Sequence, residues 1–394
     1  MWAVSATPPR RQQCAVAGLF LILPAAAAAG GLALAPLLAL FGALGAPLRK
    51  PRTPPWLALL VLAAAGWAAL SIFWSPAPRP EQALKILAVA AAGSAFVAGA
   101  ASLSAATRPL ARAALVAGVV MLAALLAVEA WFDMPITRAA QPTAPAGLLE
   151  RNPGRGVLLL ELFGFAALAA LANYPQRLRW GLGALLLAAM AGLCGQFGMD
   201  ANAAAAAIGV AAFALGYGAP RLAPRLIGLV LAGWMLAAPW VMLATAQASE
   251  ALALRLPASW GMRVHIWNFA AARIAEKPLF GWGLDASRTF DAEQQLGGLR
   301  FPAIPLHPHN FSLQVWLETG ALGALLFAAA IAASGWAAAR VLGGQRAPAA
   351  AAAASLAIIG FAWNVSYGAW QEWFLALPFI AAAAVLLTRR NASP

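Results

Sequence analysis

Leu306-His-Pro-His-Asn310 runs without a break into Phe311-Ser-Leu-Gln-Val-Trp-Leu-Glu318 and then into an apolar run that lasts to about residue 338. Pro308 disfavours helix at His307, and Asn310 is a good N-cap. The apolar run that follows exceeds the roughly 17–25 residues that cross a bilayer. The pattern predicts a transmembrane helix that begins at Asn310, with two histidines at its mouth. Whether the rest of the chain is built the same way decides the fold class.

The composition says that it is. Of 394 residues, 63% are hydrophobic and only 10% charged, with a mean hydropathy of +0.77. Soluble domains carry roughly a quarter charged residues, so most of this chain is surrounded by lipid. Apolar runs recur at about 13–29, 31–48, 56–74, 82–101, 110–132, 156–173, 180–197, 202–219, 226–244, 311–338, 349–366 and 371–388. The expected fold is therefore an all-α polytopic membrane protein of about 12 transmembrane helices. Pro24 and Gly30-Gly31 mark the first two runs as a bent helical hairpin or a pair of spans. A basic start followed by two successive apolar runs reads as a retained anchor, not a cleaved leader. Cys14 and Cys194 fall at opposite ends of this arrangement, which argues against a disulfide.

Charge gives an independent test. With both termini cytoplasmic, the inner side carries 15 of the 26 basic residues, from Arg10 and Arg11 through Arg49, Lys50 and Arg52 to Arg389 and Arg390, and no acid. The outer side carries eleven basic residues and all 13 acids, Glu150 among them. The positive-inside rule favours this orientation. The formal net charge of +13 thus reads as topology. Nucleic-acid binding would need basic residues and stacking aromatics gathered on a soluble face, and no such cluster occurs.

Two outer connections exceed a turn: 133–155, rich in proline, and 245–310, between spans 9 and 10. Within the longer one, Trp260 to Glu276 reads as an amphipathic helix with Arg263, Ile266, Trp267, Ala270 and Ile274 on one face, lying at the membrane interface. Gly281 and Gly283, in Pro278-Leu-Phe-Gly-Trp-Gly283, allow a tight turn whose N–H groups could hold phosphate oxygens. His309 sits at the positive end of a helix, a place that attracts anions and disfavours imidazolium. Arg263 and Arg288 offer charge-assisted bonds to a diphosphate. A neutral base beside a cationic clamp suits activation of a hydroxyl against an activated phosphate ester.

Blander readings stand beside these. His309 is equally readable as a helix-start residue, and His265, on the other side of its helix from Arg263, as structural. His307 and His309 lack a third ligand at ordinary spacing for a metal. Arg273 and Lys277 read as a solvated face, and Arg138 and Arg151 as loop charges. Arg155 stands where an outer loop enters a span, with Glu161 two turns in as its expected partner.

The ordered set Arg263-x-x-Ile-Trp267, Pro278-Leu-Phe-Gly-Trp-Gly283, and His309-Asn310 with Leu313-Gln314-x-x-Leu-Glu318-x-Gly320-x-x-Gly323 resembles the O-antigen ligase and polymerase superfamily of bacterial membrane glycosyltransferases. It covers about residues 260–325, with weaker likeness at Trp67 to Trp74-Ser75 and Asn152-Pro-Gly-Arg155-Gly156. The resemblance implies an inverting, metal-independent, cofactor-free enzyme of the bacterial inner membrane, acting on its periplasmic face. It implies transfer of glycan from an undecaprenyl-diphosphate carrier to a hydroxyl on lipid A core, a growing chain or a protein. Carried over, Arg263 binds diphosphate and His309 acts as base or positions the acceptor. Arg288, Arg155, Asn310, His307, Trp267, Gly281 and Gly283 are the expected substrate contacts. One departure stands out: family members usually carry a Ser-Arg pair at the outer end of a middle span. Here Gly195-Gln-Phe-Gly-Met-Asp200-Ala-Asn202 has no arginine. Either Arg155 or Arg288 replaces it, or the donor contacts differ. Ligase and polymerase are not separated by these motifs, and a twelve-span transporter of lipid-linked glycans is the competing class, with an assembly scaffold as the third.

Overall fold

The structure, a computed structural model, describes residues 10–47, 55–143, 145, 149, 151–197 and 199–390. Arg49, Lys50, Arg52 and Glu150, which entered the charge partition, lie outside the described residues. The helices are α1 (Arg10–Ala28), α2 (Leu34–Gly45), α3 (Pro55–Leu70), α4 (Pro80–Ser102), α5 (Arg108–Trp131), α6 (Pro135–Ala140), α7 (Arg151–Leu171), α8 (Gln176–Gln196), α9 (Asp200–Gly218), α10 (Ala223–Ala253), α11 (Ala258–Glu276), α12 (Phe311–Leu342), α13 (Arg346–Val365) and α14 (Glu372–Leu387). Each of the twelve apolar runs falls on a helix. Ten helices among the described residues are long and apolar enough to cross a membrane, while Leu34–Gly45 and Glu372–Leu387 are shorter.

Three boundaries differ from the sequence reading. Helix α10 continues to Ala253, so the long connection starts about two turns later than residue 245. Helix α7 starts at Arg151, which places Asn152 and Arg155 in its first two turns instead of in a loop. The long connection also contains an antiparallel hairpin, β1 (Glu293–Leu296) and β2 (Leu299–Pro302), turning at Gly297-Gly298. The hairpin is too short and too polar to show as an alternating strand pattern.

Helices α7 and α13 form the interior. Their windows are 89% and 67% buried, whereas α3, α8, α9 and α10 lie at 28% or below. The peripheral helices present leucines outward, such as Leu59, Leu84 and Leu229, over an area that water would not tolerate. Close packing comes from small residues: a Cβ at Gly228 on α10 would lie 3.1 Å from the Cα of Gly335 on α12, so these two helices touch backbone to backbone.

The two ends of the bundle are chemically different. At one end, among the described residues, arginines cap the carbonyls left over at helix C-termini. Arg112 donates to Leu387 O (2.9 Å) and Arg389 O (2.7 Å), Arg11 to Ala46 O (2.6 Å), and Arg390 to Ala172 O. At the other end lie the acidic partners, in pairs such as Lys85–Glu372 (2.6 Å) and Arg79–Asp285 (2.9 Å). In these contacts the arginines of one end meet backbone carbonyls, and the cations of the other meet carboxylates. Cys14 and Cys194 are both unbridged thiols.

Candidate active site

The acidic end of the bundle is organised around a break in α12. Gly320 adopts φ 65°, ψ −166°, a conformation open to glycine alone, and splits the helix into an outer segment, 311–319, and a longer inner one. The break leaves carbonyls and an N–H without intrahelical partners, and Pro278-Leu-Phe-Gly-Trp-Gly283 crosses over it to satisfy them. Trp282 N donates to Leu317 O (2.7 Å), Gly283 N to Glu318 O (2.9 Å), and Ala321 N to Pro278 O (2.8 Å). A Cβ at Gly281 would come within 2.7 Å of Thr319 N and Gly320 N, so the crossing needs glycine. From the α3 side, Trp67 Nε1 donates to Thr319 O (2.9 Å), Trp74 Nε1 to Phe280 O (3.1 Å) and Ser75 Oγ to Leu284 O (2.7 Å). Gly281 and Gly283 thus serve the fold. Gly281 N donates to Lys277 O (3.1 Å), so the amides at 281, 282 and 283 are all engaged within the chain and do not form the phosphate cradle expected from the sequence.

Glu318, fully buried in the outer segment, holds the next turn. Its carboxylate accepts from Asp285 N (2.6 Å), Ser287 N (3.4 Å), Ser287 Oγ, Gln314 Nε2 (3.1 Å) and Trp370 Nε1. Gln314 in turn accepts from Ala369 N (2.7 Å). One acidic side chain therefore ties α12 to the 285–288 turn and to the α13–α14 connection. Asp285, 4% exposed, is placed between two arginines, Arg79 Nη1 at 2.9 Å and Arg288 Nε at 3.0 Å. The Asp285 carboxylate is the main reason that the Arg79 guanidinium is held above its ordinary pKa. Arg79, from the α3–α4 connection, was not singled out in the sequence; only proximity in the fold reveals it.

The histidines lie beside this turn. His309 has φ 53°, in the left-handed region, and its N–H donates to His307 Nδ1 (3.2 Å). The His309 ring places Nδ1 2.6 Å from the Ser366 carbonyl. A carbonyl only accepts, so the proton is on Nδ1 and the basic lone pair of the neutral ring is on Nε2. Trp267 Nε1 donates to Pro308 O (2.9 Å), and Asn310 Oδ1 accepts from Leu313 N (3.0 Å), the N-cap that the sequence predicted. Trp267 and Asn310 therefore shape the mouth by holding backbone. Phe311, just inside, stacks on Trp363 at 4.3 Å between ring centres.

Four basic groups share this space. Burial, then the positive fields of His309, Arg288 and Arg263, push the His307 imidazole down to about 3. Arg263 is held by Ser259 O (3.3 Å) and lies over the Trp260 ring at 5.0 Å. Among the described residues it makes no salt bridge, its Nε is buried without a partner, and burial lowers its pKa. Its helix, α11, packs on α10 and α12 instead of lying on lipid, with Ile266, Ala270 and Ile274 buried. His265 falls on the hairpin side, edge-on to Phe301. Arg155 is packed against Tyr367 and Trp373, at 5.8 and 5.4 Å, and donates to Gly30 O (3.2 Å). Glu161 is not its counter-ion; that carboxylate accepts from Cys194 Sγ (3.0 Å). Asn202, in the stretch that lacks the expected arginine, donates to Gly154 O (2.8 Å), so Arg155 stands beside that stretch. No three His, Cys, Asp or Glu side chains come together among the described residues.

Comparison with known proteins bears on this geometry. The family model for O-Antigen ligase matches residues 187–328, which include Arg263, Arg288, His307, His309 and Glu318 and end before Ser366 and Trp370. Proteins carrying the name "Putative polysaccharide ligase" are similar over shorter stretches. The Rickettsia bellii protein is 35% identical over 123 residues, 29% of this chain and 28% of that protein. The Rickettsia conorii protein is 42% identical over 69 residues, 16% of this chain and 17% of that one. The chain spans less than a third of the length of these curated relatives. No solved structure matches it. The part of the chain that carries the Arg263 helix, the glycine crossing over α12 and the His307–Asn310 mouth is thus the part that is similar to the O-Antigen ligase family.

Proposed function

We propose that the protein is a glycan transferase of the bacterial inner membrane, working at the acidic, periplasmic end of a twelve-span bundle with both termini in the cytoplasm. The donor is a glycan on undecaprenyl diphosphate and the acceptor a hydroxyl, on lipid A core or on a growing chain. The observation that carries the reading is the His309 ring. With Nδ1–H committed to Ser366, the ring offers Nε2 as base near Arg263, a half-buried cation with no carboxylate partner among the described residues.

In the step, the acceptor hydroxyl gives its proton to Nε2 of His309 as its oxygen attacks the anomeric carbon. The bond from that carbon to the diphosphate oxygen breaks, and the diphosphate leaves with its electron pair. Attack opposite the leaving group inverts the centre. Arg263 and Arg288 neutralise the departing charge, and Arg155 takes the place of the arginine missing near Asn202. These cations do the work for which a metal ion would otherwise serve. An apolar cavity of about 330 Å³ between α3, α4, α12, α13 and α14 runs up to Phe311, Ser312 and Trp370, just below His309. It suits the polyprenyl chain of the donor. Its lining contains no charged residue, which favours this use over passage of a polar glycan and so favours an enzyme over a transporter.

The test is transfer by the purified protein from undecaprenyl-diphosphate glycan to candidate acceptors. His309→Ala and Arg263→Ala each abolish transfer at normal membrane levels; full activity in either removes the assignment.

A further inference from the structure

We propose that His307 is a positioning residue, which holds His309 in the one backbone and ring orientation that puts its proton on the Ser366 carbonyl and its lone pair on Nε2. The proposal rests on His309 being the base.

His309 has a left-handed backbone, which a residue with a side chain adopts only when its surroundings impose it. The group that imposes it is two residues away. Nδ1 of His307 accepts the His309 N–H at 3.2 Å, and the two rings lie 4.3 Å apart. Because Nδ1 is the acceptor, the His307 proton is on Nε2, and His307 cannot use Nδ1 toward a ligand without releasing His309. The other side of the His307 ring is wedged against the α13–α14 connection. A Cβ at Gly368 would lie 2.8 Å from its Cδ2, and Gln371 approaches its Nε2 at 3.5 Å. Ser366, which accepts from His309, belongs to that same connection. His307 therefore touches both partners of the bond that fixes the His309 tautomer: the backbone that carries the donor ring and the loop that carries the acceptor. Burial keeps it neutral, as this role requires and as a role in binding a diphosphate by charge would not.

The experiment compares His307→Leu, which removes the acceptor, with His307→Asn, whose side-chain oxygen can accept near the Nδ1 position, and with Gly368→Ala, which pushes the ring from the opposite side. Steady-state transfer is measured, together with nitrogen NMR of histidine-labelled protein in detergent; with three histidines the His309 signals are assigned by omission. The expected result is a kcat lower by about 100-fold in His307→Leu and Gly368→Ala, the scale of a misplaced reacting group. Donor KM stays within about twofold, and most of kcat returns in His307→Asn. In the wild type His309 carries its proton on Nδ1, and in His307→Leu both tautomers are populated. Three results overturn the proposal: unchanged kcat in His307→Leu, a raised KM at unchanged kcat, or an unchanged His309 tautomer in both His307→Leu and Gly368→Ala. If the wild type transfers no glycan, the functional reading fails, while the NMR comparison still decides the positioning role.

Discussion

The backbone N–H of Asp285 donates to Oε2 of Glu318 at 2.6 Å, and through this bond a carboxylate buried in α12 sets the position of a second carboxylate that holds Arg79 and Arg288. Every group that touches Glu318 is able to donate. Glu318→Gln is therefore not conservative, because its amide turns an N–H toward other N–H groups. Leaving buried donors unsatisfied costs about 1–3 kcal/mol each. The expected outcome is a clear fall in the thermal midpoint of the purified protein and a loss of transfer at least as large as that of Arg288→Ala. A Gln variant with wild-type stability would show that the hub is dispensable.

Gly320→Ala tests the break in α12. The alanine would have to adopt a glycine-only conformation, and its Cβ would overlap the carbonyl oxygen of Leu279. Strain of about 1–3 kcal/mol from the backbone adds to the clash, so the crossing loop is expected to detach and become cleavable by protease. Gly233→Ala is the control, since a Cβ there meets nothing within 4 Å.

The His307 imidazole predicts a pH dependence of stability. Its folded value, about 3, lies below the ordinary 6.5. Above about pH 6.5 the ring is neutral folded or unfolded and contributes no slope. As pH falls below that, only the unfolded chain takes the proton, so stability declines by about 1.4 kcal/mol per pH unit until the folded ring protonates near pH 3. From about pH 6.5 to 5 the unfolding midpoint of the wild type should lose ground relative to that of His307→Asn, the difference between the two isolating this ring.

Arg263 is expected to resist conservative exchange. Under the proposed function its guanidinium would give two-pronged bonds to diphosphate oxygens, whereas lysine would give a point charge. Arg263→Lys should lower kcat by about 10-fold or more while Arg263→Ala removes activity, as read by transfer to a fixed acceptor. Equal activity of Arg263→Lys and wild type would argue that only charge is used.

The long apolar runs were legible because bilayer thickness imposes length and hydropathy on each helix separately, and the Asn310 cap was legible because capping is local. What was hidden depends on contacts between distant segments. Gly281 and Gly283 read as a phosphate turn because glycine marks close approach without saying to what; here it is to the backbone of α12. Glu161 read as the partner of Arg155 because the two are close in sequence, but its partner, Cys194, is on α8. Arg79 gave no signal, since its meaning lies in Asp285, 206 positions away.

The contacts of Ser366 with His309 and of Trp370 with Glu318 have a consequence in time. Both residues lie in the α13–α14 connection, the last of the site's segments to leave the ribosome. Until that connection is in place, His309 lacks the acceptor that fixes its proton and Glu318 lacks one of its donors. A chain inserted only as far as α12 thus carries His309 and Glu318 without these two contacts, and the arrangement is complete only once the α13–α14 connection has emerged.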